Sequence, residues 1–361
     1  MKYPKPLKKG DIIGVCAPSA GVNEGNHARL ELAVRNVETM GYRVVVTDSV
    51  RRSAKCVSAD AETRAREFMS LYTNPEVAAI IPPWGGEFLM EILPLLDFDE
   101  LSKSEPKWVC GYSDITTLLF PMTIICDVAT LHGSNFMNLG AKTIHESDLR
   151  LFEALREPTI IQRSAARYGG YTKAGEDGLH ESLYALDKPS KWKSVHASDR
   201  EAIEGRIIGG CLDTLGRLVG TKYAPVVETL HKRYWRDGLV WTLESCEMNA
   251  AEIYRSLWQL REVGWFEYTN GIVIGRPDGY SDTQDFTLRD AIDSALGGLQ
   301  RRTLESGMVS FRVPVFYDAD FGHVPPQMQL INGAYARIEC GMGSAVVMQG
   351  QKVFDGKGKY E

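Results

Sequence analysis

Ser113, His323 and Glu244 are the side chains of this sequence whose types and settings could together do chemistry. Ser113 follows the apolar run Trp108-Val109-Cys110-Gly111 and precedes Asp114-Ile115-Thr116-Thr117-Leu118-Leu119. The run reads as the end of a buried strand, and Ile115, Leu118 and Leu119 recur at helical spacing. Gly111 permits a tight turn between the two. A serine at a sharp strand-to-helix turn is lifted clear of the sheet, beside backbone N–H groups of the new helix. A nucleophile attacking a carbonyl needs that setting: an exposed Oγ, and donors for the oxyanion that forms. The same placement also suits a serine that merely caps a helix N-terminus.

A serine nucleophile needs a base, and the base needs an orienting group. Of seven histidines, only His132 and His323 directly follow apolar strands. His323 is flanked by Gly322 and Pro325-Pro326, which hold the chain extended. It is the favoured base, with His132 as its rival. Glu244 ends the apolar strand Val240-Trp241-Thr242-Leu243, where an unpaired charge would be costly. Hydrogen-bonded to imidazole Nδ1, such a carboxylate fixes the tautomer and stabilises the imidazolium. Glu247 is close by and is assigned a surface or substrate-loop role. The backbone N–H of Asp114, next after Ser113, is one expected oxyanion donor. Gly86, in the turn Trp84-Gly85-Gly86, is the other, since glycine permits close approach. Trp84 and Trp192 fall in loops, where an indole either packs a lid or stacks on a flat substrate group.

The elements that must carry these residues alternate in type. Short apolar strands at Asp11–Ala17, Tyr42–Thr47, Val77–Ile81, Trp108–Gly111 and Val128–Leu131 are separated by helical patterns, including one over Asn26–Met40 and one over Phe88–Leu96. This alternation predicts a parallel sheet covered by helices, with function at the carboxyl ends of the strands. No GxGxxG follows the first strand, so a dinucleotide site is not expected. From about Thr159 to Glu204 the pattern dissolves into what reads as loops and a linker. A second region begins at Arg206-Ile207-Ile208-Gly209-Gly210 and ends in alternating strands from Met328 to Val347. The expected organisation is an N-terminal α/β unit over 1–158, a linker and substrate loop over 159–204, and a C-terminal unit over 205–361.

The 361 residues carry a net charge of −6, with both signs interspersed, which gives nucleic acid no broad basic surface. No run of about 18 apolar residues exists, so no membrane span is expected. The seven cysteines are scattered and never in CxxC spacing, which argues for reduced thiols in a cytoplasm and against a zinc framework. No signal peptide is read at the N-terminus.

Taken in order, several stretches resemble the LD-carboxypeptidase family of serine peptidases, including its branch of microcin C self-immunity proteins. They are Gly85-Gly86 followed by Ile92-Leu93-Pro94-Leu95-Leu96-Asp97-Phe98-Asp99, then Gly111-Tyr112-Ser113-Asp114-Ile115-Thr116 and Gly205-Arg206-Ile207-Ile208-Gly209-Gly210. Leu243-Glu244, Gly271-Ile272-Val273-Ile274-Gly275-Arg276, and Asp320-Phe321-Gly322-His323 with Pro326 complete the set. The resemblance implies a Rossmann-like or flavodoxin-like N-terminal domain, a β-rich C-terminal domain, and a Ser113–Glu244–His323 triad between them. It implies an oxyanion held at Gly86 and Asp114, no metal, no cofactor, and a homodimer. The substrate implied is a small peptide or an aminoacyl-nucleotide, cut at an amide near a free carboxylate. The segment 159–204, with Trp192, resembles the self-immunity branch, whose loop can set an aromatic ring against a nucleobase. Cys211 stands where the family usually has asparagine, and Glu87 where a small or aromatic residue is usual. The alternative from another class is a non-catalytic small-ligand binding protein with a flavodoxin-like cleft.

Overall fold

A computed structural model describes residues 1–196, 200–302 and 309–351. Five parallel strands, β1 (Ile12–Val15), β2 (Arg43–Val46), β3 (Val77–Ile80), β4 (Trp108–Gly111) and β5 (Thr130–His132), form one sheet in the order β2-β1-β3-β4-β5. The βα alternation predicts a parallel sheet, and the order found is the flavodoxin-like one of the two arrangements that the resemblance implies. A sixth strand, Leu330–Asn332, lies antiparallel against β5, with Leu330 opposite His132. The far end of the chain therefore closes the edge of the first sheet.

The second sheet has eight strands and is mixed. Its centre is parallel: Arg200–Cys211 beside Leu239–Glu244, beside Thr269–Gly275, beside Val315–Ala319. Tyr335–Gly341, Ser344–Gly350 and Thr159–Arg163 extend it antiparallel on one side, and Lys193–Ser194 pairs with Val315–Ala319 on the other. The segment expected to be irregular from 159 to 204 is thus largely strand: besides these pieces it holds the hairpin Arg167–Tyr171 with Tyr184–Pro189. Its strands are short and broken by Gly169-Gly170, so neither helical nor strand periodicity registers in the sequence. Residues 197–199, 303–308 and 352–361 of the expected linker and C-terminal unit lie outside the described residues.

The helix Thr116–Cys126 lies between the two halves and is buried almost throughout. Phe120 stacks on Trp265 (centroids 5.2 Å) and tilts against Trp241 (6.3 Å), both from the second region. Each fully buried Leu or Phe on this helix contributes about 1.5–3 kcal/mol. The expected helix Phe88–Leu96 is instead a 3-10 turn, Leu89–Leu95, since Pro94 inside it cannot donate a helical hydrogen bond. Among the described residues no helix is long and apolar enough to cross a membrane.

Candidate active site

Ser113 sits at φ +64°, left-handed for a residue with a Cβ. It is the first residue of a single 3-10 turn, and the position before that turn falls on Tyr112. Ser113 is therefore not a helix cap but the apex of an elbow. The elbow is pinned from outside: the Tyr112 N–H donates to Asn135 Oδ1 (3.2 Å), and the buried Asp114 carboxylate accepts from Ser19 Oγ (2.6 Å), Leu89 N–H (2.9 Å) and Thr117 Oγ1 (3.0 Å). Such a conformation costs about 1–3 kcal/mol and persists only where its surroundings enforce it. The buried helix behind the elbow supplies more than that.

The loop after β3 abuts the elbow. A Cβ at Gly85 would come 2.8 Å from Ser113 Oγ and 2.9 Å from the Asp114 nitrogen, so only glycine fits there. Gly86 has φ +149° and faces Ser19 and Ala20 of the loop after β1.

Glu244 is the last residue of its strand and fully buried. Its Oε2 accepts from His323 Nδ1 at 2.7 Å. Burial alone would favour the neutral forms, but mutual attraction overrides it. The Glu244 carboxyl is held below its usual range, chiefly by His323, and the His323 imidazole is held well above its own by Glu244. His323 Nε2 is buried with no hydrogen-bond partner, and the ring meets Tyr112 edge-on at 5.0 Å. Thus Glu244, His323 and the residue before Ser113 are brought together from three distant segments.

His132, the rival base, ends β5 within the strand rather than following it. Its Nε2 lies 3.9 Å from the other oxygen of Glu244, too far for a hydrogen bond. Burial pushes its imidazole down to about 4, so it is neutral.

The loop bearing His323 hangs on Asp320. That buried carboxylate accepts from Trp192 Nε1 (2.9 Å), Ser190 Oγ (2.9 Å) and Ala165 N–H (2.8 Å), and pairs with Arg276 Nη1 (2.6 Å). Trp192, a substrate-loop candidate in the sequence, is 5% exposed and tied through Asp320 to the His323 loop. Trp84 is half-buried and donates to Gly21 O at 3.1 Å, a packing role. Glu247 is exposed at φ +125° and shares a cavity of about 430 Å³ with Asp213, Arg217 and Arg255. Arg276 pairs with Asp320, and Lys222 lies over the Tyr223 ring. Tyr171 was missed. It is 46% exposed, and its hydroxyl is 3.4 Å from that of Tyr112, but only the fold brings the two together.

Gly322, at φ +100°, lies against Glu244: a Cβ there would come 2.8 Å from Glu244 Oε2. Gly322→Ala is expected to destabilise the protein by about 2–4 kcal/mol, from strain and overpacking together. It should also uncouple Glu244 from His323, so thermal melting and turnover should fall together.

The described LD-carboxypeptidase N-terminal domain matches residues 13–133, and the LD-carboxypeptidase C-terminal domain matches 204–338. A putative carboxypeptidase of Vibrio cholerae is 25% identical over 336 residues, spanning 91% of this chain and 92% of its own length. The microcin C7 self-immunity protein MccF of Escherichia coli is 24% identical, with 92% of each chain covered. The structure of MccF with glutamyl sulfamoyl guanosine superposes with a TM-score of 0.78 at 22% identity, covering 96% of this chain and 98% of that one. Two domains of one family, in order and on the fold just described, account for most of the sequence. The chain belongs to the LD-carboxypeptidase family and is a serine-type carboxypeptidase, a hydrolase.

Proposed function

We propose that Ser113, His323 and Glu244 form the catalytic triad. Ser113 Oγ attacks the scissile carbonyl while His323 Nε2 takes its proton. Glu244 Oε2 holds Nδ1–H and stabilises the imidazolium. The oxyanion is met by the backbone N–H groups of Gly86 and Asp114. His323 returns the proton to the leaving amine, and water then resolves the acyl-enzyme by the same route. The observation that carries this reading is the 2.7 Å Glu244–His323 bond, with the His323 ring edge-on at 5.0 Å to Tyr112, the chain neighbour of the left-handed Ser113.

The substrate is a small peptide or aminoacyl-nucleotide whose amide is cut near a free carboxylate. Relatives support both, since a murein tetrapeptide carboxypeptidase of Pseudomonas aeruginosa and MccF are each similar to this chain. The exposed ring of Tyr171, beside Tyr112, is the aromatic surface best placed to meet a substrate's flat group. All seven cysteines are free thiols, which supports a reducing, cytoplasmic setting. The test is a comparison of kcat/KM for a tetrapeptide muropeptide and an aminoacyl sulfamoyl-adenosine. Hydrolysis of at least one is expected, and Tyr171→Ala should raise KM about tenfold for the nucleotide substrate only, the loss of one stacking contact. Hydrolysis of neither would end this assignment of substrate class.

A further inference from the structure

Cys211 is the feature of the site that the hydrolytic mechanism leaves unused. It is the registered partner of Glu244 on the adjacent parallel strand, so the two side chains emerge side by side at the strand ends. Cys211 Sγ, a Glu244 oxygen and a His323 ring nitrogen all lie within 4.8 Å of one another. Glu244 Oε1 has no hydrogen-bond partner, and neither does either nitrogen of His132, although all are buried. His132 Nε2 faces Glu244 Oε1 at 3.9 Å.

Thiolate, carboxylate and imidazole are the ligand types that Zn2+ takes, at about 2.0–2.3 Å in a tetrahedron. We propose that Cys211, Glu244 and His323, with His132 alongside as a fourth donor, form a site for a thiophilic divalent cation, and that its occupancy switches the hydrolase off. Cys211, Glu244 and His323 must draw together by roughly 1 Å to reach tetrahedral contact, and His132 must close in from its 3.9 Å approach to Glu244. No CxxC spacing foreshadows the site, because its donors come from four separate segments.

The exchange balances in charge and protons. The arriving dication displaces the thiol proton of Cys211 and, where His323 is an imidazolium, the proton on its ligating nitrogen; these leave to solvent, and neutral His323 keeps its one remaining N–H. His132, being neutral, offers a lone pair at no cost in protons. With its ring nitrogen on the metal and the Glu244 contact broken, His323 cannot take the Ser113 proton. The inhibitory half of this inference rests on the triad reading. The binding half does not, since Ser113 contributes no ligand.

The experiment uses the full-length chain after chelator treatment. Co2+ is titrated into Ser113→Ala, with a thiolate-to-cobalt charge-transfer band as the readout. Zn2+ is titrated into the active wild type. The band is expected to appear, and about 50 µM Zn2+ should lower turnover at least tenfold, reversibly with chelator. Cys211→Asn should remove the band and raise the half-inhibiting Zn2+ concentration by about 10–100-fold. If that variant does not fold, Cys211→Ala and sulfur coordination counted by X-ray absorption on the zinc-loaded wild type take its place. A missing band, or equal zinc inhibition in wild type and Cys211→Asn, overturns the proposal. Full activity in Ser113→Ala would overturn the triad while leaving the cobalt result to stand on its own.

Discussion

Ser113→Ala should lower kcat by about four to six orders of magnitude, the usual consequence of removing a nucleophile that acts as a unit with its base. The expected structural cost is small. Alanine keeps the Cβ, so the φ +64° elbow is neither relieved nor worsened. The Tyr112–Asn135 bond and the Asp114 contacts that enforce the elbow do not involve Ser113 Oγ. Melting temperature should therefore stay close to wild type while turnover disappears. Labelling by a fluorophosphonate probe, present in wild type, should vanish with it. Retained turnover would mean that the hydroxyl is not the attacking group.

Glu244→Gln should lower kcat by about 10³–10⁴-fold with KM little changed, because the amide no longer fixes the tautomer or offsets the imidazolium charge. This variant also moves a pH profile. In the wild type, Glu244 holds His323 well above its ordinary range, so the base is protonated and idle at acid pH. Activity rises as pH passes the raised value, and the acid limb of kcat/KM lies above about 6.5. With the charge removed, burial dominates and favours neutral imidazole, so the limb of the residual activity should shift to lower pH by at least about one unit. A purely structural glutamate would reduce activity without moving the limb. An unmoved limb would therefore remove Glu244 from the catalytic machinery.

The elbow at Ser113 was readable because every element of it is local: an apolar strand, a glycine, and a helical repeat within a dozen residues. Glu244 was readable for a related reason, since a charge ending a run of apolar residues must find a partner. His323 was singled out by its flanking Gly322 and prolines. What the sequence did not reveal has a different cause. Trp192 sits among polar residues, and the carboxylate that holds its indole, Asp320, is 128 residues away. Burial created by a distant partner leaves no local trace. The strands between 159 and 204 were missed because they are short and several pair with distant segments, as Thr159–Arg163 does with Ser344–Gly350. The pattern favoured His323 over His132, and in the structure both stand by Glu244, on opposite oxygens.

The strand Leu330–Asn332 has a bearing on how the chain emerges from the ribosome. Until it arrives, β5 is an open edge with unpaired backbone groups, the kind of edge that recruits stray strands. Some two hundred residues must be synthesised between β5 and its cover, and His323 arrives only just ahead of that cover. A nascent chain thus carries the Ser113 elbow well before His323 can reach Glu244. The His323–Glu244 bond and the protection of the edge therefore become possible at nearly the same point of synthesis.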